Sequence, residues 1–154
     1  MKNLLVSATL ALAVFGQAQA GEISMADLDH LQPADVYVLG ETHDNPIHHL
    51  GQARLIRAVQ PKAVVFEMLT PEQAGLITPE LLRDEDALEA ALGWNASGWP
   101  DFSIYYPIFA ALGEAKIFGA ALAKNEVRRA YFEGAAVVFG DRAEVFGLDQ
   151  PLPE

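Results

Sequence analysis

Two short apolar runs on either side of one helical segment constrain the fold of this chain more than any other feature. The first, residues 35–39, is rich in Val and Tyr, and the second, residues 62–67, reads Lys-Ala-Val-Val-Phe-Glu. Short apolar runs bounded by turn residues are typical of buried β-strands. Between them, Asn45 and Pro46 resemble a helix N-cap with a first-turn proline, and Pro61 stops the helix. The pattern predicts a βαβ unit with parallel, neighbouring strands.

The remaining sequence is predicted to be mainly helical, with one further strand. Residues 84–92, 103–115 and 125–139 favour helices, and residues 116–120 favour a third strand. Three strands are few, because a sheet usually contains about five or six. The prediction is therefore an α/β fold, with a parallel sheet of few strands built on a βαβ unit with flanking helices. We also expect this domain to be incomplete.

The first twenty residues carry the features of a secretory signal peptide. Lys2 is followed by an apolar run over residues 4–15, and Ala18-Gln-Ala20 is a small-x-small cleavage pattern. The run is shorter than the roughly 20 apolar residues that a transmembrane helix needs. We therefore expect a signal peptide over residues 1–20, one domain over residues 21–154, and a periplasmic or secreted product.

Charge and cysteine content narrow the classes of partner. The formal net charge of the 154-residue chain is −11. Nucleic-acid binding is not expected, because neutralising phosphates requires clustered Lys and Arg. The sequence contains no cysteine. The sequence therefore cannot form a disulfide, and it has no cysteine at the cleavage site to carry a lipid anchor. Without disulfides, the core or a bound ligand must stabilise the fold.

Polar side chains follow the first two predicted strands at the edge where parallel sheets bind ligands. Glu41 and His43 come after the first strand, and Glu67 ends the second. A carboxylate placed there is costly unless it is paired or bound. Glu41 and His43 could hold a divalent metal such as Zn or Mn, which would suit a hydrolase using Glu41, His43 and Glu67. Three protein ligands would be needed for a convincing metal site.

Each of these residues also has a structural interpretation. His43 could cap the helix or bond a carbonyl, and Glu67 could pair with a nearby arginine. His48 and His49, in the first turn of the helix, could be ordinary solvated residues. Two tyrosines offer a phenolate oxygen, which can ligate haem iron. These are Tyr105 and Tyr106. Tyr105 shares a helical face with Ile108 and Leu112, which favours core packing for this residue instead.

Four segments together resemble the ChaN-like haem-binding uptake proteins. These proteins are grouped with the Tiki and TraB-type proteins and the erythromycin esterases, which share a Gly-x-x-His signature. The segments are Leu39-Gly-Glu-Thr-His-Asp-Asn-Pro-Ile-His-His49, Val64-Val-Phe-Glu-Met68, Trp99-Pro-Asp-Phe-Ser-Ile-Tyr-Tyr-Pro-Ile-Phe109, and Phe118-Gly-Ala-Ala-Leu-Ala-Lys-Asn125. Together, in this order, the four segments extend over essentially the whole mature chain. They resemble the N-terminal part of such a protein.

The resemblance implies haem binding in an iron or haem acquisition system. It implies that Tyr and His side chains hold the haem at a surface or dimer interface, with His48, His49, Tyr105 and Tyr106 as candidates. The expected partners are haem, an outer-membrane haem receptor and a second copy of the chain. For the related proteases, the signature would correspond to Gly40 and His43.

Two departures from the family pattern are visible. Relatives are commonly lipid-anchored through a cysteine, and they contain a second Gly-x-x-His, which does not occur here after His49. Three hypotheses follow: a haem-binding protein, a metal-dependent hydrolase, and a truncated relic with neither activity.

Overall fold

The computed structural model describes residues 21–151, so the predicted signal peptide lies outside the described residues. Within that range it contains six α-helices and two β-strands. In chain order these are α1 (Pro46–Val59), β1 (Ala63–Phe66), α2 (Pro71–Leu76), α3 (Glu85–Leu92), α4 (Phe102–Phe109), β2 (Lys116–Gly119), α5 (Lys124–Glu133) and α6 (Ala135–Phe139). The predicted α/β class is confirmed.

Helix starts follow the capping residues of the sequence. The Asn45 side chain accepts a hydrogen bond from the backbone N–H of Ile47, and Pro46 is the first residue of α1. Thr70 and Gln73 form a capping box at the start of α2, in which each side chain bonds the backbone of the other. Such caps satisfy N–H groups that a helix cannot bond internally.

The sheet consists of β1 and β2, which pair in parallel with Ala63 opposite Lys116. The chain after β2 continues against the turn that follows β1, where the N–H of Ala121 donates to the carbonyl of Leu69 at 2.8 Å. A Cβ atom on Gly119 would lie 2.3 Å from the carbonyl oxygens of Leu69 and Thr70. Only glycine permits this approach of two backbones.

The predicted strand over residues 35–39 is wrong. These residues form no strand, and the side chains of Val36 and Val38 are 75% and 91% exposed. In the described part of the chain, the sheet order is β1-β2 alone, so residues 35–39 have no paired neighbour. A strand exists only where an adjacent strand receives its backbone hydrogen bonds, and an apolar run does not show whether that neighbour is there.

The core lies between the inner face of the sheet and the helices α1 to α4. Phe66 of β1 stacks on Phe109 of α4, with ring centroids 4.6 Å apart and planes 1° from parallel. Trp94 packs against Phe102 and donates its indole N–H to the carbonyl of Pro100 at 2.7 Å. Helices α1 and α4 pack against each other, which places the start of α1 beside α4.

The predicted last helix over residues 125–139 is divided in two. Gly134 has a φ of 101°, outside the helical region, so α5 ends before it and α6 begins after it. Neither α5 nor α6 contains a buried residue. Among the described helices, none is both long and apolar enough to cross a membrane.

Candidate functional site

The loop between residues 39 and 45 brings its polar side chains onto the first turns of α1. Glu41 is the centre of the arrangement, with a side chain only 8% exposed. Its Oε1 lies 2.9 Å from Nδ1 of His43, and its Oε2 accepts a hydrogen bond from Nε2 of Gln52 at 2.9 Å. Glu41 thus joins the loop to α1, as a shielded carboxylate with a partner on each oxygen.

Nδ1 of His49 lies 3.1 Å from Oε2 of Glu41. The alignment does not make a hydrogen bond, so this buried nitrogen has no hydrogen-bond partner among the described residues. Burial acts to raise the pKa of Glu41, but bonds from His43 and Gln52, the charge of His49 and the nearby Tyr105 hydroxyl together lower it below its usual value. The carboxylate is therefore held in its charged form.

The backbone of His43 is fixed by two buried side chains. Its carbonyl oxygen accepts a hydrogen bond from Nε2 of His49 at 2.9 Å and another from the Tyr105 hydroxyl at 3.0 Å. The imidazole of His43 meets the ring of Trp99 edge-on, with centroids 4.8 Å apart. Because the backbone, Nδ1 and one side of the ring are all in contact, His43 is preorganised although its side chain is 44% exposed.

His43 and His48 present opposite chemistry at Nε2. A carboxylate only accepts hydrogen bonds, so Nδ1 of His43 carries a proton and Nε2 of the neutral ring has a free lone pair. Nδ1 of His48 instead accepts the backbone N–H of Thr42 at 2.8 Å. In the neutral ring of His48 the proton is therefore on Nε2. His43 can donate an electron pair to a ligand, and His48 can donate a hydrogen bond.

Two of the four predicted haem-binding residues are buried in this structure. His49 and Tyr105 are fully buried, and their rings lie 4.1 Å apart between α1 and α4. Burial and the charge of Glu41 raise the pKa of the Tyr105 phenol, which keeps it protonated. Both residues hold the loop that carries His43, and neither presents an atom to solvent.

The other predicted residues lie around this cluster at different depths. Tyr106 is half-buried and donates its hydroxyl to the carbonyl of Leu82 at 3.3 Å, away from the loop. Glu67 is exposed after β1, and its charge, with that of Asp44, contributes to the raised pKa of Tyr105. The structure therefore brings Glu41 together with His43 and His49, and it holds His48 on the backbone of the same loop through Thr42. Glu67 acts on the cluster through its charge.

Two residues of the site were not predicted from the sequence. Gln52 fixes the second oxygen of Glu41, and Trp99 contacts the ring of His43. Gln52 is four residues after His48 and three after His49, so helical periodicity places all three on one face of α1 and could have identified it. Trp99 lies in a loop, where no periodicity indicates the direction of a side chain.

A metal site with three protein ligands is not found among the described residues. Glu41 and His43, the predicted pair of ligands, are hydrogen-bonded to each other. The cluster is also open to solvent on the side of His43. Two shallow grooves, lined by residues of α2 and β2 in one case and of the N-terminal segment and α1 in the other, do not include the cluster.

Comparison with known proteins identifies one family. The family described as haem-binding uptake, Tiki superfamily, ChaN, matches residues 28–153. Among curated proteins and solved structures, no match was found. Because the match spans most of the chain, this chain belongs to the ChaN haem-binding uptake family, and the resemblance predicted from its four motifs is confirmed.

Proposed function

We propose that this chain binds haem at the exposed edge of the loop of residues 40–44, with Nε2 of His43 as an iron ligand. Membership of a haem-binding uptake family supports the ligand class. The state of His43 carries the assignment of the residue. Its ring combines a free lone pair, exposure to solvent and a fixed orientation. A histidine presented in this way is a common axial ligand of haem iron.

The surroundings of His43 suit a porphyrin held at a surface. Trp99 provides an aromatic ring beside the imidazole. Leu39, Ile47 and Leu50, from the same loop and the start of α1, are exposed apolar side chains. The nearby carboxylates would repel the propionates of haem, which favours an orientation with the propionates directed to solvent or to Nε2–H of His48. An open site of this kind suits uptake, since cargo bound at a surface can be passed on.

The same proposal extends to the location of the protein. A signal peptide over residues 1–20 would export the chain to the periplasm or beyond, where an outer-membrane receptor could supply haem. A second copy of the chain could cover the exposed face of the porphyrin. N-terminal sequencing of the exported product tests the first point, with Gly21 expected as its first residue.

Haemin titration of the purified chain tests the function itself. We expect a saturable Soret band, which His43→Ala shifts or weakens by removing the ligand nitrogen. His30→Ala is the matched control, because His30 is an exposed histidine outside the cluster. His48→Ala should retain the band position and reduce affinity modestly. Phenylalanine at position 105 or 106 tests the tyrosines that the sequence suggested.

Two results would contradict the proposal at different levels. A folded chain without saturable haemin binding excludes the function. If His43→Ala leaves the Soret band unchanged and His48→Ala or Tyr106→Phe abolishes it, haem binding remains the function and the iron ligand is a different residue.

A further inference from the structure

We propose that two copies of the chain associate through the outer face of the β-sheet, with α5 of each copy lying on the sheet of the other. The outer face is the one turned away from the helices α1 to α4. This surface lies outside the loop of His43, and its use does not depend on haem binding. Both halves of the contact, an apolar sheet face and an apolar helix stripe, are exposed in the structure.

The outer face of the sheet is apolar at its centre. Val65 of β1 and Phe118 of β2 are register partners, and they are 62% and 50% exposed. The residues before them, Val64 and Ile117, point to the opposite face and pack against the core. Parallel sheets normally have both faces covered. The described part of this chain covers only the inner face.

Helix α5 carries an apolar stripe that matches this face in length. Val127, Ala130 and Tyr131 are spaced by three and four residues, which places them on one side of the helix. Val127 and Tyr131 are 53% and 84% exposed, because α5 packs mainly on α6. The ten residues of α5 extend about 15 Å. The sheet face from Ala63 to Glu67 extends about 13 Å.

Charges at the ends of the two surfaces are complementary. Glu67 follows the carboxyl end of β1, and Lys116 begins β2 at the opposite end of the sheet. Lys124 and Arg128 lie in the first half of α5, and Glu133 ends it. Apart from Glu133, none of these side chains forms an ion pair within the described residues. A helix antiparallel to the strands places its basic, positive-dipole end at Glu67 and Glu133 at Lys116.

A second copy is the partner that requires no refolding of the chain. The α5 helix of one chain does not cover its own sheet, since Val65 and Phe118 remain exposed. Each copy can therefore provide a helix and receive one at the same time. Because both copies use the same two surfaces, the contact closes as a two-fold dimer. The net charge of −11 disfavours an anionic membrane as the partner instead.

Disulfide trapping between singly substituted chains tests the contact directly. The chain contains no cysteine, so each introduced thiol is the only one in its chain. Val65→Cys chains are mixed with Val127→Cys chains under mild oxidation, and mass spectrometry identifies the linked peptides. A disulfide forms only when the two Cα atoms come within about 7 Å, so the link reports docking.

The matched control for trapping is Val145→Cys. Val145 is 72% exposed and lies in the 3-10 turn after α6, outside the proposed contact. We expect Val65→Cys to link to Val127→Cys at least about tenfold faster than to Val145→Cys, because docking raises the effective concentration of the thiols. Equal rates for the two partners overturn the inference, since the collisions would then be random.

Sedimentation equilibrium with charge-reversed variants tests the orientation. Glu67→Lys should raise the dimer Kd at least about tenfold, because like charges then face each other across the contact. Adding Lys124→Glu to the same chain should restore the association. Asp86→Lys is the control, because it makes the same charge change on an exposed residue of α3. An equal effect of Asp86→Lys, or no rescue by Lys124→Glu, overturns the proposed pairing.

Two further outcomes overturn the inference as a whole. One is a wild-type chain that stays monomeric at all concentrations tested. The other is a disulfide within the Val65→Cys/Val127→Cys double variant at high dilution, with no link between the singly substituted chains. In that case α5 closes over the sheet of its own chain. If Glu67→Lys does not fold, the trapping experiment decides alone. Failure of haemin binding would leave this inference unaffected.

Discussion

The region from α1 to β2 and the region from α5 onward are held together in different ways. In the first, helices and strands share one cluster of buried side chains, centred on the aromatic rings of α4 and its neighbours. In the second, α5, α6 and the 3-10 turn Ala143–Phe146 contact mainly one another, and Ala143 is their one buried residue in the described structure. The first region is a packed core, and the second is stabilised locally.

Local interactions in the second region are individually weak. Arg129 pairs with Glu126 at 3.1 Å and with Glu133 at 3.0 Å along α5. Exposed pairs of this kind contribute little because water screens them, whereas fully burying one large apolar side chain contributes about 1.5–3 kcal/mol. The first region should therefore determine the stability of the fold. It also holds the loop of His43, through Gln52 and His49 of α1 and Tyr105 of α4.

A matched pair of phenylalanine substitutions gives the largest expected contrast between the regions. Phe109→Ala removes a fully buried ring that stacks on Phe66, and we expect it to lower the free energy of unfolding by about 3–5 kcal/mol. Phe132→Ala removes a ring that is 75% exposed on α5 and should change that free energy by less than about 0.5 kcal/mol. Urea denaturation followed by circular dichroism measures both. Similar losses in the two variants would show that α5 packs on the core in solution.

The elements of the packed region were predictable where a local signal sufficed. The cap at Asn45 and the apolar run over residues 62–67 identified α1 and β1. The run over residues 35–39 carried the same signal and did not form a strand. A strand forms only where a second strand, distant in the sequence, pairs with it. Amino-acid composition indicates only whether the side chains favour burial.

The backbone contact at Gly119 provides the second contrast, between two glycines. Gly119→Ala should lower the free energy of unfolding by about 1–3 kcal/mol, because its Cβ would meet two carbonyl oxygens that cannot move independently. Gly75→Ala is the control: it lies within α2, and an added Cβ there would find nothing within 4 Å. That change should raise stability by about 0.5–1 kcal/mol, because alanine loses less backbone entropy in a helix. If thermal unfolding shows equal effects of the two substitutions, the close approach of the two backbone segments does not constrain position 119.

Two tyrosines allow the third test, on a hydroxyl of the site. Tyr105→Phe removes the hydrogen bond to the carbonyl of His43 and leaves that oxygen with His49 alone. We expect a loss of about 1 kcal/mol in the free energy of unfolding. Tyr131→Phe, on the exposed surface of α5, should have no measurable effect. Equal values for the two variants in chemical denaturation would mean that the Tyr105 hydroxyl does not support the loop.

The site was only partly predictable from the sequence, for a physical reason. The position of Glu41 after an apolar run marked its carboxylate as costly unless partnered, and the structure pairs it with His43. The resemblance suggested tyrosines and histidines as haem ligands. They could not be ranked from the sequence, because the ranking requires the burial of each side chain in the fold. Depth separates His49 and Tyr105, which support the loop, from His43, which is exposed. Residue type alone carries no information on depth.

Two glutamates, one held by side chains of the first region and one within the second, give the smallest and most specific contrast. Burial acts to raise the pKa of Glu41, but its hydrogen bonds and the charge of His49 lower it overall; the pKa of Glu133 is lowered by its exposed bond to Arg129. Because both values are lowered, each carboxylate stabilises the fold above the unfolded pKa of about 4.3, and this contribution is lost as the pH falls through the folded value.

Salt should separate the two glutamates. In about 1 M salt, where the Debye length is about 3 Å, the pKa of Glu133 should return to its usual range and that of Glu41 should stay low. Carboxylate NMR titrations at low and high salt measure both, and Arg129→Gln should abolish the lowering at Glu133 alone. If high salt returned both pKa values to their usual range, the hydrogen bonds of Glu41 would be as exposed to solvent as the ion pairs of α5. The packed region would then not shield the carboxylate that orients His43.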